Sequence, residues 1–165
     1  MEKIEKHRLG LPSMRLLHDI PSKRLVVKFI SRRHTIAASE FYGEFLDTCR
    51  DIGITRFDLG STGSGWHENN GRAKEPIDAI RPKDTRHYLA DKPTMVIEVG
   101  SLENLDQLHC EVRHWLSQYN NEVKLVFLLA IGRDNQRLLV EKWQMHQDQP
   151  AKVQEFKIYP VDCDL

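Results

Sequence analysis

Cysteine is scarce in this chain, and the three present, Cys49, Cys110 and Cys163, are odd in number, far apart and without a C-x-x-C pair. That excludes a disulfide framework and a structural zinc site built on paired cysteines, and it points to a reducing compartment. An excess of one charge is also missing. Lysine plus arginine and aspartate plus glutamate stand at 24 each, giving a formal net charge of zero and a pI of about 7.1. Contact with nucleic acid would therefore have to come from a local patch, not from bulk basicity. The opening stretch, MEKIEKHRLGLPSMRLLHDI, lacks the apolar core and small-residue cleavage site of a secretory signal. No apolar run approaches the length of a membrane span. The expectation is an intracellular protein, cytoplasmic or nuclear, with no membrane association.

The 165 residues present suit one domain with its own core. Residues 1–22 are basic and irregular, with Pro12 and Pro21 as breakers, and read as an arm or short helix ahead of a single domain over 23–165. LVVKFI, residues 25–30, reads as a strand. Ile36, Phe41, Phe45, Cys49 and Ile52 then recur at helical spacing and predict a helix starting near Thr35 or Ser39 and ending by Gly53. Residues 54–59 read as a strand, GSTGSGWHENNG (60–71) as a mobile loop or wide turn, EPIDAIR (75–81) as a short strand and 82–92 as a charged connector. TMVIEVG, residues 94–100, is apolar except for Glu98, the pattern of a strand buried on both faces. Leu102, Leu105, Leu108, Val112, Trp115, Leu116 and Tyr119 predict an amphipathic helix, with Asn104 and Gln107 as a capping pair. VKLVFLLAI, residues 123–131, should return parallel to the Glu98 strand by a right-handed crossover. Residues 137–145 and 153–159 read as peripheral strands, completing an α/β chain.

A carboxylate inside a buried strand is costly unless it is paired, hydrogen-bonded or bound to a cation. Glu98 is therefore either a metal ligand or a glutamate held by a base. Asp78 is a second acid upstream, and carboxylates converging from adjacent strands are what a Mg²⁺ site requires. On a regular strand Glu75 and Asp78 point to opposite faces, so only one of them can easily join Glu98. His109 and His114, five apart, project to different sides of their helix and read as surface residues. GSTGSG has neither a nucleophile elbow nor P-loop spacing. Lys and Arg residues concentrate between Lys3 and Arg33, where they form either a track for a phosphate backbone or a solvated surface.

Taken in order, GSTGSG, AKEPIDAIRP, KPTMVIEVGSLENLDQLHCEVRHWL, EVKLVFLLAI and VEKW resemble fungal proteins of the PD-(D/E)XK nuclease-like superfamily, over about residues 60–143. The resemblance implies a restriction-endonuclease-like three-layer core of helix, β-meander, helix and parallel strand, with extra C-terminal strands. It also implies a Mg²⁺-dependent phosphodiesterase acting on DNA or RNA, in which acids on two core strands bind the metal and activate water beside a lysine. Glu98 matches the third-strand acid, while Lys74, Glu75 and Pro76 match the start of the KEPD segment. The implied catalytic residues are thus Glu98, Asp78 and Lys74, and the implied Mg²⁺ ligands Glu98, Asp78 and Glu75, with Glu40 or Glu44 as a first-helix acid. Two positions depart from the pattern: Ile77 stands at the KEPD aspartate, one residue before Asp78, and Gly100 stands at the E-x-K lysine. A one-residue slip turns a side chain to the other face unless a bulge restores it. The missing lysine would be supplied by Lys74 or Arg113. The alternative expectation is a catalytically inactive nuclease fold serving as a binding or accessory module, with Glu98 paired to Arg113 or Lys74.

Overall fold

The two most apolar segments lie side by side at the middle of a sheet. In the computed structural model, which describes residues 13–159 other than 89, 120 and 134–136, β7 (Met95–Ser101) and β8 (Leu125–Ile131) pair in parallel, Met95 opposite Leu125 through to Ser101 opposite Ile131. Helix α2 (Leu105–Gln118), entered through a 3₁₀ turn at Leu102–Asn104, connects them. With β3 (Leu59–Ser61), β6 (Asp78–Pro82), β9 (Leu138–His146) and β10 (Gln149–Ile158), they form a six-stranded sheet in the order β10-β9-β8-β7-β6-β3.

The alternation of strand side chains divides the core in two. Val96, Leu128 and Ala130 pack with Leu108, Val112, Trp115 and Leu116 of α2 on one face. Met95, Ile97, Val99 and Leu129 pack on the other face with Ala38, Phe41 and Phe45 of helix α1 (Arg32–Asp51). The result is the expected three-layer α/β arrangement, with β9 and β10 as the additional C-terminal strands. Among the described residues, no helix is long and apolar enough to cross a membrane.

A second sheet, in the order β2-β1-β5-β4, joins β1 (Met14–Asp19), β2 (Arg24–Phe29), β4 (His67–Asn69) and β5 (Arg72–Lys74). The turn between β4 and β5 is Asn70-Gly71, with φ of 50° and 74°, the left-handed pair that a two-residue hairpin requires.

Several boundaries differ from the sequence expectation. Met14–Asp19 is a strand, not an arm or short helix: the two prolines bound it, and β2 and β5 pair with it on either side. Residues 1–12 of the expected arm lie outside the described residues. Helix α1 starts at Arg32, ahead of Thr35, because Ser31 caps it through a hydrogen bond from its N–H to His34 Nδ1 (3.1 Å). Residues 54–58 are not strand, since Asp58 Oδ2 accepts from the Thr55 N–H (2.7 Å) and closes a turn there. Asn104 occupies the N-cap of α2 but makes no side-chain capping bond, so the expected pair with Gln107 does not form. The expected strand over 75–81 is divided. Lys74 ends β5, β6 begins at Asp78, and the link between them crosses from one sheet to the other.

Candidate functional site

Glu98, only 1% exposed, projects from β7 toward α2. Its Oε1 accepts hydrogen bonds from Trp115 Nε1 at 2.7 Å and from Lys74 Nζ at 2.8 Å, and Lys28 Nζ stands 3.5 Å from Oε2. Glu111 faces the same two lysines, with its Oε2 3.0 Å from Lys28 and 3.4 Å from Lys74. Both lysines come from the second sheet, Lys28 from β2 and Lys74 from the end of β5. Glu111 and Trp115 come from one face of α2, four residues apart. The Lys74 ammonium also lies over the Trp115 ring, 5.0 Å from its centre.

Burial alone would push the Glu98 carboxyl up. The Lys74 and Lys28 charges, with hydrogen bonds from Lys74 and Trp115, outweigh it and hold the carboxyl down at about 2. The Lys28 ammonium is pulled down by burial and raised by Glu98 and Glu111, and the carboxylates prevail. Two carboxylates and two ammonium groups therefore neutralise one another in a nearly dry pocket.

The implied site residues do not converge. Lys74 is beside Glu98, as the family pattern implies. Asp78 is opposite Ile97 in the β6–β7 ladder, which puts it on the α1 face, the reverse of Glu98. There its Oδ1 accepts from Ser61 Oγ at 2.9 Å and from the Ala79 N–H at 2.7 Å, and it borders a 130 Å³ cavity with Ser39 and Tyr42. No bulge returns it: Ile77, before it, also packs in the α1-side core. Glu75 borders a cavity of about 30 Å³, room for one water, together with Lys28, Lys74 and Glu111. Its Oε2 accepts from the Leu16 N–H at 2.9 Å, tying it to β1.

Glu40 and Glu44 are exposed beside an apolar groove between α1 and β9–β10, away from Glu98. Arg113 stands over the Trp143 ring, 5.9 Å from its centre, and is not the partner of Glu98. Gly100 has no room for a lysine, because even a Cβ there would lie 2.4 Å from Leu108 Cδ2.

The two histidines of α2 are not free surface residues either. His109 Nε2 is 2.8 Å from Oε2 of the fully buried Glu141. His114 packs edge-on against Trp115 and Tyr119 and is pushed down to about 4 by burial, with Lys74 and Arg72 adding to the effect.

Sequence reasoning missed Lys28, Glu111 and the hydrogen-bonding role of Trp115. It also missed Glu141, which lies in one row across the sheet with Leu128 and Glu98 and receives Trp143 Nε1 at 2.8 Å and Lys152 Nζ at 3.0 Å. One signal was present: Lys28 is the only acid or base within an apolar run, LVVKFI, as Glu98 is in its own, whereas Glu141 stands beside Lys142 and gave none.

These residues do not fit a Mg²⁺ centre. Among the described residues, no group of three or more His, Cys, Asp or Glu side chains is placed to hold a metal. The two carboxylates that do approach one another, Glu98 and Glu111, each face Lys28 and Lys74.

The layered α/β architecture, with the acid-bearing β7 parallel to β8 and a helix on each face, defines a restriction-endonuclease-like fold. It is similar to the crystal structure of a nuclease candidate belonging to DUF820 from Anabaena variabilis ATCC 29413, with a TM-score of 0.53 over 92% of this chain and 82% of that one. The two sequences are 12% identical, so the likeness is one of fold. The sequence matches no family profile and no curated protein.

Proposed function

We propose that this chain is a nuclease-fold binding or accessory module that does not hydrolyse phosphodiesters. The observation that carries the reading is the engagement of Glu98: Lys74 and Trp115 take one oxygen and Lys28 faces the other, while Asp78 lies on the far side of the sheet. Among the described residues no carboxylate pair is left to hold a cation, and without one a water is not activated by metal. The partner that fits best is DNA or RNA, met by the exposed Lys23, Arg24, Arg32 and Arg33 around β2 and the start of α1, in an intracellular compartment.

One observation favours a second reading, a Mg²⁺-dependent phosphodiesterase. Lys74, one of the two candidates to replace the E-x-K lysine, is 2.8 Å from Glu98, and Glu75 and Glu111 border the same small cavity as Lys74. One experiment separates the two readings. Purified wild type and Glu98→Ala are incubated with single- and double-stranded DNA and RNA, in Mg²⁺, in Mn²⁺ and in chelator. The binding-module reading expects no metal-dependent product from either protein, together with salt-sensitive binding to at least one nucleic acid. Cleavage that needs metal and disappears in Glu98→Ala would establish the phosphodiesterase instead.

A further inference from the structure

The outer strand of the six-stranded sheet is β10, which pairs with β9 along one edge. Among the described residues, no strand pairs with its other edge. An open edge is a template for further pairing unless proline, a bulge or charge blunts it. The first half of β10 carries such devices, Pro150 and a register shift between Lys152 and Gln154. Its second half, Gln154-Glu155-Phe156-Lys157-Ile158, has neither and continues the ladder without interruption.

That half also exposes apolar surface, with Phe156 at 56% and Ile158 at 53%. Phe156 lies opposite Val140 and Ile158 opposite Leu138, so they share the α1 face and border an apolar groove of 520 Å³ walled by Ala37 and Phe41. Glu155 and Lys157 take the opposite face by alternation.

We propose that β10 is a homodimer interface, in which a second copy adds its own β10 antiparallel across a two-fold axis through Phe156. Such an interface is isologous, so positions equidistant from 156 face each other. Phe156 then meets its own copy, Gln154 meets Ile158, and Glu155 meets Lys157 twice, once on each side of the axis. The charges select this register. Centring the axis on Glu155 or on Lys157 would set like charges directly opposite, and moving it half a step would set Phe156 against Lys157 in one direction and against Glu155 in the other. Within one chain Glu155 Oε1 lies 3.1 Å from Lys157 Nζ and its other oxygen faces Lys152, so these charges stand together along the open edge. Charges that blunt the edge toward foreign strands thus become ion pairs toward a second copy.

The test is a charge-swap series followed by sedimentation or light scattering across a range of concentrations. Wild type is expected to be a dimer. Glu155→Lys sets lysine against lysine, and Lys157→Glu sets glutamate against glutamate, so each variant alone is expected to dissociate, with a dissociation constant raised about tenfold or more. Mixed together, these variants place opposite charges across both pairs, and the dimer is expected to return. Its return also shows that each variant is folded. A wild type that stays monomeric at every concentration, single variants that dimerise as wild type does, or a mixture that stays monomeric overturns the proposal.

Discussion

Trp115 donates its indole N–H to a buried carboxylate, and its ring stacks on Tyr119 at 5.1 Å. Trp115→Phe keeps an aromatic ring but removes the donor and part of the buried indole, leaving one lone pair of Glu98 without its partner. Urea unfolding is expected to show a loss of at least about 1–3 kcal/mol, the cost of an unsatisfied buried acceptor, with the lost packing added to it. The pH dependence of the same carboxyl has a definite sign. Its folded value, about 2, lies below the ordinary 4.5, so the stabilisation is fully present above pH 4.5 and is lost as pH falls toward 2. Glu98→Gln cannot titrate. Between pH 5 and pH 2.5, wild type should therefore lose about 2 kcal/mol more than Glu98→Gln, measured as the difference between their urea-derived stabilities. Equal losses would mean that the lysines do not hold the carboxyl down.

The closeness of β7 and α2 is set by Gly100, which faces the buried Leu108. Adding one methyl, Gly100→Ala, puts a Cβ 2.4 Å from Leu108 Cδ2 and should cost about 1–3 kcal/mol as overpacking. Leu108→Ala in the same chain should recover part of that loss, a coupling that thermal melts of the four proteins in the cycle would read. Gly100→Lys, which writes the E-x-K pattern back, should therefore disrupt the helix seat without producing a nuclease. These same elements were the legible ones. β7, α2 and β8 each bury a full apolar pattern, so their periodicity alone specified them, and their parallel pairing followed from the short connection. β1 was illegible because its six residues between prolines become a strand only by pairing with β2, the other arm of its hairpin, and with β5, which is distant in sequence. The link at Glu75–Ile77 was misread for a related reason. Strict alternation was assumed over a segment where Glu75 hydrogen-bonds β1 and the chain changes sheets, so Asp78 starts a new strand facing α1.

The charged cluster joins the two sheets, since Lys28 and Lys74 belong to one while Glu98 belongs to the other and Glu111 to the helix packed on it. From the sequence it was evident that Glu98 needed a partner, a metal ion or a base, and Lys74 was among the candidate bases. That Lys28 and Glu111 complete the set was not, because positions 28, 74, 98 and 111 sit on four elements whose approach depends on the tertiary fold. The arrangement predicts a non-additive stability series. Lys74→Met alone leaves Glu98 with a weaker cation partner in a dry site and should cost about 3–5 kcal/mol, less whatever Lys28 recovers by moving closer. Replacing the whole set, Lys28→Met, Lys74→Met, Glu98→Leu and Glu111→Leu, with Trp115→Phe to remove the donor that Glu98 served, removes the four charges of the cluster at once and fills most of the space with apolar atoms. A cluster that only clasps the sheets should then leave a protein at least as stable as wild type, because desolvating four charges costs about as much as their mutual attraction returns. Urea denaturation of the single and combined variants checks this directly. A combined variant less stable than Lys74→Met would show that the ion pairs contribute more than their desolvation costs, and that the clasp depends on charge.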